Sequence, residues 1–206
     1  MRRFTLLAVL FLTFSTNANA ATISFLASPF AGSTALTTPG RQVVGGELFT
    51  GFNIGTDVFA FQPTVFGIDE ILFVNDFAGS IPASGVNVVV LQSLDNDGDP
   101  LTPFGAGNAA NLIAGDITQS GPGFFIYFNS GLDLPRLVFS TDLSDNTADL
   151  KILARMTNFA GQPGVLPTFT EDNFAVTEVP EPATLLLMTT GGALWASRRR
   201  RNKRRE

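Results

Sequence analysis

Between Ala21 and Glu178 the apolar residues recur mostly with a period of two, not 3.6, and this limits what the chain can fold into more than any other feature. A period of two sends alternate side chains to opposite faces of an extended strand. The pattern predicts strands at Thr22 to Ala27, Gln42 to Phe49, Thr56 to Phe61, Glu70 to Phe77, Val86 to Leu94, Gly123 to Phe128, Arg136 to Asp142, Leu150 to Asn158 and Asn173 to Glu178. Turn-forming runs separate nearly all of them, including Thr38-Pro39-Gly40, Asp97-Gly98-Asp99-Pro100, Ser120-Gly121-Pro122 and Asp133-Leu134-Pro135. Eight or nine short strands with Gly and Pro turns predict one all-β domain over residues 21–178, an antiparallel β-sandwich of jelly-roll or immunoglobulin-like kind. One short helix is expected at Asn108 to Ala114, with Asn108 as its N-cap and Gly115 closing it.

Seventeen of the 20 phenylalanines fall inside this segment, a density that fills the space between two sheets without disulfides. Residues such as Phe73 and Phe125 are therefore expected in the core. The chain has neither His nor Cys. That excludes a Ser-His-Asp triad, a thiol nucleophile, a Cys/His zinc site and a His-ligated haem. With 16 acids against 4 bases between Ala21 and Val179, the segment carries a net charge of −12, which disfavours nucleic acid as a partner.

One cluster has ligand-like spacing. In Asp95-Asn96-Asp97-Gly98-Asp99-Pro100 three carboxylates stand two residues apart, and Asp95, Asp97 and Asp99 are the candidate ligands for a calcium ion. The run departs from an EF-hand, because Pro100 stands where the invariant Gly belongs and Ala106 where the bidentate Glu belongs. Asp142, Asp145 and Asp149 form a looser group around another turn. For a carboxylate-based glycoside hydrolase the chain offers many acids but no signature that selects two. The adjacent pairs Asp69-Glu70 and Glu171-Asp172 would point to opposite faces of a strand. No catalytic residue is assigned, and the expectation is a protein that is not an enzyme. A sugar-binding module usually sets a Trp or Tyr under the sugar ring, and here only Tyr127 lies in the domain.

Both ends carry a different kind of information. Met1-Arg2-Arg3, the apolar run Phe4 to Phe14 and the small residues ending Ala18-Asn19-Ala20 form a secretory signal peptide over residues 1–20, with cleavage by signal peptidase expected before Ala21. The C-terminal segment, residues 179–206, runs Val179-Pro180-Glu181-Pro182, then fifteen uncharged residues from Ala183 to Ser197, then a basic tail at 198–205. The uncharged run reaches about 22 Å as a helix, against about 30 Å of hydrocarbon, so it spans a bilayer only with snorkelling arginines and local thinning. Arg198, Arg199, Arg200, Arg201, Lys203, Arg204 and Arg205 would hold the C-terminus in the cytoplasm and leave the domain outside.

This order of Pro-Glu-Pro, short span and arginine cluster resembles the PEP-CTERM sorting signal of Gram-negative and related bacteria. The resemblance covers roughly the last 28 residues. It implies processing by exosortase, a membrane protease, at or near Val179, Pro180, Glu181 and Pro182, often in organisms that make exopolysaccharide. Leu166-Pro167-Thr168-Phe169-Thr170 is superficially like a sortase signal, but Phe169 and Thr170 replace the required Thr and Gly. The expectation is therefore a protein exported through the inner membrane, anchored there transiently and delivered to the cell surface or extracellular matrix. Its expected role is structural or adhesive within exopolysaccharide or biofilm, with no cofactor beyond the calcium candidate. Two alternatives stay open, a carbohydrate-binding module, with or without calcium, and a glycoside hydrolase.

Overall fold

A computed structural model of the chain describes residues 20–99 and 101–177. The expected signal residue Ala18, the sorting residues Val179 to Pro182, the span 183–197 and the basic tail lie outside the described residues. Among the described residues no helix is long and apolar enough to cross a membrane.

Every predicted strand segment contains a strand. The first, β1 (Thr22–Phe25), pairs with β4 (Val58–Phe61), which pairs in turn with β10 (Phe174–Val176) in a three-stranded sheet. The remaining strands are β2 (Val43–Val44), β3 (Leu48–Thr50), β5 (Phe73–Asp76), β6 (Val88–Leu91), β7 (Gly123–Asn129), β8 (Leu134–Ser140) and β9 (Leu150–Met156). They form a seven-stranded sheet in the order β2-β9-β8-β7-β6-β5, with β3 also on β9. The expected strand from Gln42 to Phe49 is thus two short ones interrupted at Gly45-Gly46, both lying parallel along β9.

The mostly-β expectation holds, whereas antiparallel pairing holds only for β7–β8 and β8–β9. The pairs β1–β4, β4–β10, β2–β9, β3–β9, β5–β6 and β6–β7 are all parallel, so the jelly-roll and immunoglobulin-like orders do not describe this chain. The physical reason lies in the connections. A tight turn ending at Asp133 (φ 55°) reverses the chain between β7 and β8, while residues 92–122 between β6 and β7 are long enough to cross over. That crossover contains a helix, and α1 (Pro63–Phe66) and α2 (Ala106–Asp116) are the two α-helical segments among the described residues. Gly105 caps α2, not Asn108. Asn108 sits one turn in and its Oδ1 accepts from the Gly105 amide at 3.3 Å, and Gly115 lies inside the helix, which ends at Asp116 with Ile117 as its C-cap. Leu134-Pro135, expected in a turn, opens β8, and Glu171-Asp172 lie on a 3₁₀ turn, not on a strand.

Because β7 is central, all seven of its residues are buried. Phe124, Ile126 and Phe128 face the small sheet, where Phe61 of β4 stacks on Phe124 with ring centroids 3.7 Å apart. Phe52 stacks on Phe59 in the same layer at 4.2 Å. Phe125 and Tyr127 face the other way, toward Ala109, Ala110 and Ile113 of α2. The order of layers is therefore small sheet, large sheet, helix. Each buried aromatic contributes roughly 1.5–3 kcal/mol of apolar burial, so the two faces of β7 anchor both cores.

A β-bulge in β9 changes which side chains share a face. Leu137 pairs with Ala154 but Val138 with Ile152, leaving Leu153 as the extra residue. The bulge reverses the alternation, so Leu150 and Ile152 face the helix before it, while Arg155 is brought to that same face after it, opposite Arg136.

Candidate functional site

A polar constellation that holds both ion pairs of the described residues lies on the helix-facing side of the large sheet. Arg136 stands between Tyr127 on β7 and Arg155 on β9 in the strand register. Glu47, immediately before β3, closes the group. Its Oε1 accepts from Arg136 Nη2 at 2.6 Å and from Arg155 Nε, and these are the two ion pairs among the described residues. The Glu47 side chain is only 5% exposed. Burial pushes its carboxyl up, but its own backbone amide and the two guanidinium groups outweigh burial and hold it at about 2. Phe49 covers Arg155, with the guanidinium carbon 4.9 Å from the ring centroid. Tyr127, fully buried, accepts from Asn129 Nδ2 at 2.9 Å and Arg136 Nη1 at 3.5 Å, and burial raises its phenol. Arg136 Nε is buried without a partner among the described residues. Chemically this is a clamp. An ionised Glu47 has no proton to donate at neutral pH, and the phenol keeps its own.

The sequence-selected acids serve their own loops. Asp95 Oδ1 accepts from the amides of Asn96 (2.7 Å) and Asp97 (3.2 Å), Asp97 Oδ1 from Asp99 (2.9 Å), and Asp99 Oδ1 from Leu101 (2.9 Å). The Asp97 amide is the main reason the Asp95 carboxyl lies below its ordinary value. Among the described residues no group of three or more Asp and Glu side chains converges to hold a metal ion, so Asp95, Asp97 and Asp99 do not close as a set of three around one point. Asp142 clasps Ser120, Gly121 and Ser144, Asp145 clasps Thr147, and Asp149 accepts from the amides of Leu36 (2.6 Å) and Gln42 (2.7 Å). For Asp142 burial opposes ionisation and the hydroxyls of Ser120 and Ser144 more than offset it; for Asp145 the Thr147 amide dominates.

Asp69, Glu70, Glu171 and Asp172 are exposed. Tyr127 lies inside the core and offers no stacking surface to a sugar. Leu166 and Phe169 of the sortase-like run are buried at 1% and 2% exposure. A cleft of about 510 Å³ is lined by Phe52, Asn53, Ile54, Asp57, Asn158 and Phe159 among others.

Sequence reasoning missed two groups. Glu47, Arg136 and Arg155 are far apart in sequence, and only the β9 bulge aligns the arginines. Asp57, 7% exposed, accepts from the amides of Ala21 and Asn53, both at 2.9 Å, and from Thr56 Oγ1 at 3.2 Å. Burial opposes its ionisation, and these donors together hold its carboxyl below the ordinary range.

The family described as the PEP-CTERM protein-sorting motif matches residues 178–201. No curated protein and no solved structure matches the chain. The chain carries a PEP-CTERM sorting motif, which implies export and membrane-associated processing by exosortase.

Proposed function

We propose that this chain is an exported surface or extracellular-matrix protein whose folded body is a non-enzymatic structural or adhesive unit within exopolysaccharide. The sorting motif at residues 178–201 carries the reading. A signal peptide over residues 1–20 routes the chain through the inner membrane, the segment 183–197 holds it there, and exosortase acts near Pro180-Glu181-Pro182. The positions of the first and last described strands support this order: β1 starts at Thr22, beside Ala21, and β10 ends at Val176, just ahead of Val179.

A passive role is supported by the chemistry of the acids. Glu47, Asp57, Asp95, Asp142 and Asp145 are all held below their ordinary values, the opposite of what a general acid in glycoside hydrolysis requires. An adhesive role is supported by the outer strand pair β2 and β3, where Val43, Leu48 and Phe49 are 52%, 46% and 64% exposed on a sheet edge.

Mass spectrometry of protein taken from the producing cells tests the routing. The expected product begins at Ala21 and ends near the Pro-Glu-Pro element; a mature protein that keeps Trp195 and the arginine cluster refutes processing. A glycan array run with and without calcium tests the passive role. Absence of binding is expected, and selective binding of one glycan would make the body a carbohydrate-binding module.

A further inference from the structure

The nitrogen of Ala21 lies 2.9 Å from Asp57 Oδ1, and the Ala21 carbonyl accepts from the Val58 amide at 2.9 Å. Residue 21 is therefore held at both its polar backbone atoms where β1 enters the small sheet. Cleavage of the Ala20–Ala21 bond adds water across it. The hydroxyl goes to the Ala20 carbonyl, and the Ala21 nitrogen becomes a primary amine that takes a proton near neutral pH. We propose that this new α-ammonium is the missing counter-ion of Asp57, and that removal of the signal peptide completes the fold by pairing the two and fastening β1 to β4. The inference rests on the export reading, and specifically on cleavage before Ala21.

Two observations carry it. Asp57 is a buried carboxylate, and its donors, the Ala21 and Asn53 amides and the Thr56 hydroxyl, are all neutral. The four bases of the body are engaged elsewhere. Arg41 donates to the carbonyls of Ala148 and Gly107 and to Asn111, Lys151 donates to the Gly45 carbonyl, and Arg136 and Arg155 share Glu47. On the turn that packs against β4, Asn173 donates to the Asp57 carbonyl at 3.1 Å, while its neighbours Glu171 and Asp172 are exposed. Among the described residues nothing cationic faces Asp57. An ammonium at Ala21 supplies that charge where the neutral amide already sits, and charge-assisted hydrogen bonds are roughly twice as strong as neutral ones. In the precursor the same nitrogen donates one neutral bond, so β1 is held less firmly before cleavage than after it.

The pairing also sets the sign of the pH dependence. An α-amine paired in the folded state has its pKa raised above the ordinary range of about 7.7–8.0, so the stabilisation is complete below that range and is lost as pH rises through the folded value.

The test uses the exported mature protein and its Asp57→Asn variant, each with the N-terminus sequenced. Acylation of the α-amine by an N-hydroxysuccinimide ester at pH 7.5 is followed by peptide mass spectrometry, with Lys151 read separately. The expected result is an Ala21 amine labelled at least about tenfold more slowly in the folded wild type than in the same protein unfolded in urea, with most of that protection lost in the variant. Should the variant fail to fold, wild-type protein acetylated at Ala21 while unfolded and then refolded replaces it. Its melting temperature is expected to lie below that of the free-amine form at pH 7 and to converge with it above pH 10. An Ala21 terminus whose amine labels equally fast folded and unfolded overturns this inference alone. A terminus at any other residue overturns the cleavage reading and the pairing with it.

Discussion

Replacing Glu47 with Gln removes one negative charge from between two guanidinium groups while keeping the shape of the side chain. Arg136 and Arg155, with side chains 12% and 25% exposed, then face each other on neighbouring strands without a counter-charge. The magnitude comes from the carboxyl itself. At about 1.4 kcal/mol for each tenfold change in proton affinity, a carboxyl held at about 2 instead of 4.5 contributes about 3 kcal/mol to folding at neutral pH. The general cost of removing one partner of a buried ion pair, about 3–5 kcal/mol, agrees at its lower end, as expected where water still reaches both arginines. In urea, with a slope of about 2 kcal/mol per molar for a domain of this size, the unfolding midpoint at pH 7 should fall by about 1.5 M. The pH dependence is the stricter test. Because the folded pKa is depressed, the contribution is complete above pH 4.5 and disappears as pH falls toward 2. The gap between wild type and Glu47→Gln should therefore close over that window, since a protonated Glu47 is electrically like Gln. A gap below about 1 kcal/mol at pH 7, or one that stays constant from pH 7 to 2.5, would refute the clamp as an electrostatic device.

Gly123→Ala places a Cβ 2.3 Å from Leu143 Cδ1 and 2.6 Å from the Asn87 carbonyl oxygen, which accepts the Phe124 amide at 2.8 Å. Leu143 can shift but the backbone oxygen cannot without breaking that bond, so a loss of about 2–3 kcal/mol is expected by urea denaturation, and an unchanged midpoint would contradict the packing described for β7. Phe124→Ala deletes a ring in contact with Phe61, Phe66 and Phe139, and should cost about 3–5 kcal/mol. Since Asp95, Asp97 and Asp99 satisfy their own loop amides, adding 5 mM calcium or EDTA should move the melting temperature by less than about 1 °C; a rise of several degrees with calcium alone would restore the loop as a cation site.

The strands, the Phe-rich core and the C-terminal sorting motif were legible in the residues because each is a local code. Period-two alternation marks a half-buried strand wherever it occurs, and Pro-Glu-Pro, a short apolar run and a basic tail lie within one window of sequence. Pairing was not legible. Nothing local in Val88–Leu91 says that it lies parallel to both β5 and β7, because that outcome depends on how residues 77–87 and 92–122 cross over. Helix α2 showed its existence but not its cap, since the cap is Gly105, from whose amide Asn108 accepts one turn in.

Read alone, then, the amino-acid sequence determined that the body is mostly β, cored by phenylalanine, acidic, and followed by a sorting motif. Tertiary structure alone decided that most neighbouring strands run parallel, that the Leu153 bulge sets Arg155 beside Arg136 under Glu47, and that Asp57 meets the nitrogen of Ala21. The Glu47 ion pairs and the Ala21–Asp57 contact join residues 36 to 108 positions apart. Periodicity reports which way a side chain faces, and only the closed fold reports what it meets there.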